Sequence, residues 1–405
     1  MKRIPTIRAL IVLFLLLASS AQSQDATDDI VSNTNAIASC DNSETGLFDL
    51  YGAKRTCIES TEFEGTRCFF TYIPDCAGED VPLVFDLHGY TSCPLFSAFY
   101  TGWRQLAQQN CFVVIWPLGT TDPTVADITC WGNSGGLLNE DGSKFSGPCC
   151  CSKGGIPIVT DPSTFLRQAA AVAIRDIPEE TSNSTTIDTK RIYMAGHSNG
   201  CMASISMAAT QSDMIAAVGC HSGRPTSIFP EDYSATPMAF IHGKADPTVP
   251  YEGADFQFGA QEYLSIISKA NGCSSSTETR TDNYAGTPNN VTEYRSSNCT
   301  NNADVALYAL DNVGHQPYYI SSQSLQNFES GTTPVAFDTT KFMWDFVKEY
   351  SLEVEPVIEV KPATMAPSIA PSSMPTISAS MRAQVGLTAA MASAMLAATF
   401  LLTAA

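Results

Sequence analysis

The sequence predicts a doubly wound α/β fold. Three observations carry that expectation. Short apolar runs rich in Val, Ile and Phe recur along the middle of the chain, helical patterns fall between them, and no internal repeat breaks the alternation. Continuous apolar runs of this kind suit strands of a parallel sheet covered on both faces. Strands alternating with helices then build a sheet with helices on either side.

Taken in order, Arg67 to Ile73 alternates enough for an edge strand, and Pro82 to Leu87 reads as a buried strand running into His88-Gly89. Cys111 to Trp116 is a further strand, stopped by Pro117; Arg191 to Ala195, Met214 to Cys220, Met238 to Ile241 and Val305 to Leu310 complete the set. The helical patterns cover Ser97 to Gln109, Ser163 to Ile177, Asn199 to Thr210, Phe258 to Ala270 and Thr339 to Tyr350. Asp161-Pro162 is a start signal and Pro178 a stop signal for the second of these. Residues 122–157 have no clear period and are rich in Gly and Cys, which reads as a disulfide-held cap or rim.

Both ends differ in composition from this body. In residues 1–23, Lys2, Arg3 and Arg8 precede an apolar block from Ala9 to Ala18, and Ala21-Gln22-Ser23 offers small residues at cleavage spacing. That is a secretory signal pattern, and the block is too short to span a bilayer. Residues 24–66 form a Cys-containing extension, 67–350 the catalytic domain, and 351–382 a Pro/Ser-rich stalk. Residues 383–405 carry no charge and read as a lipid-anchor signal of the GPI type or as a terminal membrane helix. The domain is therefore expected to be secreted or held at a cell surface, touching the membrane only through its C-terminal tail.

The chain has 14 cysteines, which in a secreted protein imply disulfides. Asn183, Asn290 and Asn298 head glycosylation acceptor triplets. A formal net charge of −19 excludes a phosphate-backbone binder, which needs clustered Lys and Arg, so no nucleic-acid partner is expected.

The chemistry centres on Gly196-His197-Ser198-Asn199-Gly200, a G-x-S-x-G match placed between a strand and a helix. A strand-to-helix elbow exposes a serine nucleophile, with acid and base following in the order Ser, Asp or Glu, His. Ser198 is the candidate nucleophile. With five histidines in the chain, the base falls to His315 after the last strand, with His221 as runner-up. The acid falls to Asp246 after the Met238 strand, with Asp255 as the alternative. A serine of this kind needs a base and oxyanion donors; the backbone N–H groups of Asn199 and Tyr90 are the candidates, with Gly89 next. Trp131, in the Cys-rich segment, lines an acyl or aromatic pocket or packs against a disulfide. Trp103, Trp116 and Trp344 read as packing residues. No metal cluster stands out, and Gly135-Gly136 and Gly154-Gly155 do not follow strands, so no cofactor is expected.

The ordered motifs LHGYTS, VVIWPLGT, CWGN with the later CCC, DPSTFLRQA, RIYMAGHSNGCM and IHGKADPTVPYEG resemble the secreted polyhydroxybutyrate depolymerase and feruloyl esterase-like branch of the α/β-hydrolases. The resemblance covers about Phe69 to Tyr350. It implies an α/β-hydrolase fold and a cofactor-free Ser–Asp–His ester hydrolase, with Ser198, Asp246 and His315 in those roles and a small or polymeric ester as substrate. The sequence departs from the pattern around NVGHQPYY, where a Gly-rich, Trp-containing neighbourhood is expected; this bears on the substrate wall. Two alternatives stay open: a serine peptidase on the same scaffold, and an inactive surface-binding module.

Overall fold

The computed structural model describes residues 52–60, 66–121, 129–132, 152–153, 156–157, 162–182, 184–225, 229–254, 258–318 and 332–358. All of these fall in the first of the two units into which the chain divides, Met1–Thr364. The expected signal peptide, most of the Cys-rich segment, the stalk beyond residue 358, the C-terminal anchor, Asn183 and Asp255 lie outside the described residues.

The chain runs through β1 (Ala53–Glu59), β2 (Thr66–Tyr72), β3 (Val81–Leu87), α1 (Pro94–Tyr100), α2 (Trp103–Asn110) and β4 (Val113–Pro117). Four two-residue strands follow: β5 (Thr120–Thr121), β6 (Thr129–Cys130), β7 (Ser152–Lys153) and β8 (Ile156–Pro157). After them come α3 (Ser163–Glu180), β9 (Ile187–His197), α4 (Asn199–Thr210), β10 (Ala217–His221) and β11 (Met238–Gly243). The remaining elements are α5 (Ala260–Ala270), β12 (Ser275–Thr281), β13 (Val291–Ser297), β14 (Val305–Leu310) and α6 (Thr339–Val347).

One ten-stranded sheet has the order β1-β2-β4-β3-β9-β10-β11-β14-β13-β12. Its centre, from β4 to β14, is parallel. Antiparallel strands extend it on both sides, β2 and β1 beyond β4, and β13 and β12 beyond β14. β3, β4, β10, β11 and β14 are buried along their whole length. This is why they read as continuous apolar runs. Successive side chains point to opposite faces: Leu83, Phe85 and Leu87 join a core with α3, α4 and α5, while Val84 joins one with α1, α2 and α6. Trp103, Trp116 and Trp344 are all buried in the second core.

Several boundaries depart from the sequence reading for local reasons. The expected helix Ser97 to Gln109 is two helices, because Gly102 takes a left-handed φ of 83° between them. α3 runs through Pro178 to Glu180. Arg67 to Ile73 is not the edge, since β1 pairs outside it and the Cys57–Cys68 disulfide joins the two strands. The sheet therefore begins before residue 67. β12, with the sequence SSTETRT, lies almost wholly exposed as the outermost strand. Polar side chains there discourage edge-to-edge pairing, and they also remove the apolar signal by which a strand is recognised. Among the described residues no helix is long and apolar enough to cross a membrane.

The fold places one histidine at the carboxyl end of each of five adjacent parallel strands. His88 follows β3, His197 ends β9, His221 ends β10, His242 is the penultimate residue of β11, and His315 lies in the loop after β14. In open α/β sheets this edge is where sites form.

Candidate active site

Ser198 sits between β9 and α4 with φ 53° and ψ −117°. A positive φ on a non-glycine residue costs about 1–3 kcal/mol and persists only where its surroundings enforce it. Here the enforcement is close packing. A Cβ on Gly200 would stand 2.0 Å from the Leu87 carbonyl oxygen, and one on Gly196 would stand 2.5 Å from the carbonyl carbon of Gly200. The first turn of α4 therefore rests directly on β3 and β9. Ser198 N–H donates to His221 O at 2.9 Å, and Met202 N–H donates to Ser198 O at 3.1 Å. A disulfide between Cys201 and Cys220 ties that turn to β10.

Asp246 lies in the loop after β11. Its Oδ1 accepts the N–H groups of Thr248 and Val249, both at 2.8 Å. Its Oδ2 accepts from His315 Nδ1 at 2.8 Å, and His242 Nε2 lies 3.3 Å from the same oxygen. Burial alone would push this carboxyl up, but hydrogen bonds from His242 and His315 outweigh it and hold the group well below the ordinary carboxylate range. Asp246 is thus a carboxylate, and the proton between it and His315 belongs to Nδ1.

The His315 loop is joined to the serine turn through His197. His197 Nε2 donates to His315 O at 2.7 Å, and the two rings lie 4.8 Å apart. On its other side, Tyr100 O–H donates toward His197 Nδ1 at 3.4 Å. Burial, and next the nearby His315, lower the His197 pKa to about 3, so this ring is neutral. His221 is also buried and neutral, held well below its ordinary range by desolvation. Thr339 donates its hydroxyl proton to Pro317 O, so it accepts from His221 Nε2 at 3.2 Å. His221 lies against the Tyr318 ring and, among the described residues, makes no bond to a carboxylate; His315 is bonded to Asp246 through Nδ1.

The loop after β3 approaches the serine from the other side. A Cβ on Gly89 would stand 3.6 Å from the Ser198 Cβ. Tyr90, next in the chain, is half-buried. His88 fixes this loop: its Nε2 accepts Gly119 N–H at 3.0 Å and its Nδ1 donates to Gly89 O at 2.8 Å. Burial lowers the His88 pKa to about 4. The Asn199 amide accepts Trp131 N–H at 2.7 Å and donates to Trp131 O at 3.2 Å, while Trp131 Nε1 donates to His88 O at 2.8 Å. Trp131 is 0% exposed. Of the two readings of Trp131, a pocket lining and a packing residue, this burial favours packing, with the indole N–H bracing the loop. Beneath the same loop, Asp86 accepts from Thr101 at 2.7 Å and Trp116 at 2.9 Å, and burial raises its pKa to about 7.

Three features in this region carry roles beyond those assigned from the sequence: His242 beside Asp246, the Asn199 amide on Trp131, and the Cys201–Cys220 staple. The signal available for His242 is its i, i+4 spacing to Asp246 after a strand. Among the described residues no cluster of His, Cys, Asp and Glu is placed to hold a metal ion.

Residues 166–276 match the family model Abhydrolase_2, described as phospholipase/carboxylesterase. The chain is 24% identical over 288 residues to a bifunctional acetylxylan esterase/xylanase of Neocallimastix patriciarum, a stretch covering 71% of this chain and 34% of that relative. The chain thus spans about a third of the length of the curated relative it matches. Among solved structures, an acetyl xylan esterase from Aspergillus awamori aligns at TM-score 0.44 and 16% identity, over 72% of this chain and 99% of that one. A ferulic acid esterase from Anaeromyces mucronatus aligns at 0.36 and 14%, over 65% and 84%. The parallel sheet and the strand–turn–helix elbow define an α/β-hydrolase fold, and residues 166–276 within it are similar to the phospholipase/carboxylesterase family model.

Proposed function

We propose that the chain hydrolyses carboxylic esters by acyl transfer through Ser198, with His315 as base and Asp246 as acid. The observation that supports this most is one connected arrangement. A serine held at positive φ stands next to His197, which bonds the backbone of His315, and His315 donates to the Asp246 carboxylate. With its Nδ1 proton held by Asp246, His315 offers Nε2 as the proton acceptor. In the first step His315 takes the Ser198 proton as the oxygen attacks the ester carbonyl. The N–H groups of Asn199 and Tyr90 stabilise the oxyanion, and His315 returns the proton to the leaving alcohol. Water then enters by the same route and releases the acid. One oxyanion donor is worth on the order of 10² to 10³ in rate.

The substrate class proposed is an acyl ester on a polysaccharide or an aliphatic polyester. The acetylxylan activity in the relative's name and the sequence resemblance both support it. Four disulfides among the described residues support an oxidising, extracellular setting.

Ser198→Ala tests the reading. Its kcat on p-nitrophenyl acetate is expected to fall by on the order of 10⁶, with the thermal midpoint unchanged, and fluorophosphonate should label only the unmutated chain. Turnover that survives the substitution refutes the proposal. Faster hydrolysis of a matched anilide than of the ester points to the peptidase alternative, and absence of labelling to a binding module.

A further inference from the structure

Asp246 has a second histidine neighbour that the acyl-transfer scheme leaves without a task. His242 Nε2 lies 2.8 Å from Val249 O and 3.3 Å from Asp246 Oδ2. Both neighbours are acceptors, so the proton sits on Nε2. His242 Nδ1 is then free to accept Tyr263 O–H, at 3.1 Å. His242 is 1% exposed and Tyr263 likewise 1%, so water does not substitute for either bond. Val249, whose carbonyl His242 holds, also donates its own N–H to Asp246 Oδ1. One imidazole therefore grips the acid loop at two points.

We infer that His242 is a positioning residue for the acid–base pair: it orients the Asp246 carboxylate toward His315 and disperses the carboxylate charge. The inference rests on the ester-hydrolase reading above. The chain Tyr263–His242–Asp246–His315 joins α5, the end of β11, the loop after it and the loop after β14. An outer hydrogen-bond partner of this sort fixes both the direction and the basicity of the group it touches.

The consequence has a sign. Removing the Nε2 donor leaves the Asp246 charge less dispersed, so the carboxylate holds the His315 imidazolium more tightly. His315 must be neutral to accept the serine proton. The acid limb of kcat/KM therefore moves to higher pH when His242 is lost. Other ionisable groups beside the pair and His242 are His197, whose ring lies 4.8 Å from that of His315, and Tyr251 and Tyr263, which pack against His242. Substitution at His242 leaves His197 untouched and frees the hydroxyl of Tyr263, which is neutral across the acid limb, so a movement of the limb reports on His242.

His242→Leu and His242→Gln form the test, with p-nitrophenyl acetate as substrate and thermal unfolding as control. His242→Leu is expected to lower kcat about tenfold, leave KM within about twofold, and raise the acid limb by about half a pH unit. His242→Gln keeps an N–H donor near the Nε2 position and is expected to restore most of kcat and the limb. An active chain whose His242→Leu variant keeps both kcat and the limb overturns the inference alone. So does a loss in both variants that only follows their thermal midpoints. A chain with no ester turnover, or one in which Ser198→Ala remains active, overturns the hydrolase reading and the inference with it. Where His242→Leu does not fold, Tyr263→Phe reads the same chain: the limb should rise by a smaller amount, and an unmoved limb overturns the role.

Discussion

Beneath the Ser198 turn, at Gly196 and Gly200, there is no space, whereas around Asp246 there is no spare hydrogen bond. Gly196 and Gly200 let α4 settle onto the backbone of β3 and β9, and a methyl group at either position meets backbone atoms that cannot retreat. Asp246 and His315 stand in loops, held by donors from His242, His315, Thr248 and Val249 to one carboxylate. The proposed nucleophile is thus positioned by steric exclusion and the proposed acid–base pair by polar partners. Exclusion fails abruptly, because a clash with backbone shifts whole elements. A polar network fails in steps, one donor at a time. The same site should therefore respond to substitution in two different ways.

The widest separation between the two halves is expected from Gly200→Ala against Asp246→Asn. Asp246→Asn places an amide where His315 needs an acceptor, so the imidazole adopts the wrong tautomer. The kcat should drop by about 10⁴ with the fold intact. Gly200→Ala is expected to remove activity through the fold instead, by about 3 kcal/mol of stability or more, seen as a loss of soluble protein or a midpoint lower by about 6 °C. If Gly200→Ala folds normally and retains turnover, the steric account of the nucleophile half is wrong.

A smaller effect sharpens the same contrast. Replacing Cys201 and Cys220 together by Ser removes a staple of sequence separation 19 at the elbow. Chain-entropy reasoning puts the cost at about 3 kcal/mol, measurable as a lower urea midpoint. The kcat of the folded fraction should fall about tenfold or less, because Gly196 and Gly200 still seat the helix. A kcat loss as large as that of Asp246→Asn would mean that the disulfide, not the close packing, aims the serine.

The smallest effect is in acid stability. His88, with its pKa lowered to about 4, and His197, lowered to about 3, bind protons more weakly folded than unfolded. His221 is shifted the same way. Their stabilising contribution is complete above the unfolded value of about 6.5 and drains as pH falls toward the folded values. Asp86, raised to about 7, acts oppositely: its contribution is complete below its ordinary value of 3.8 and is lost as pH rises through about 7. Three groups oppose one, so unfolding free energy should decrease between about pH 6.5 and pH 4.5 in urea titrations. Asp86→Asn should make that decrease steeper. A flat profile in both proteins would break the assignment of neutral buried histidines.

The central sheet and the elbow were legible in the sequence because each has a local signature. Strands buried on both faces are apolar throughout, and a serine between small residues at a strand–helix junction has few other uses. Of the antiparallel extensions only β2 was legible as a strand. β12 is polar because it is the outermost strand, and β1 is recognisable only through its pairing with β2 and the Cys57–Cys68 bond. The inward turn of Trp131 depends on His88 O and Asn199, residues 43 and 68 positions away.

From its own residues the chain determined the alternation of strands and helices and the order serine, acid, histidine, since both are written in local periodicity and spacing. Which histidine meets which carboxylate was decided only by tertiary structure. Five histidines end neighbouring strands with nearly the same local surroundings. They become the proposed base, a loop brace, two neutral core groups and a partner for the proposed acid according to what crosses over them: the carbonyl of His315, the amide of Gly119, the hydroxyls of Thr339 and Tyr263, and the Asp246 carboxylate. Those partners come from distant segments, and a hydrogen bond is specified by where two groups stand, not by how far apart they lie in the chain.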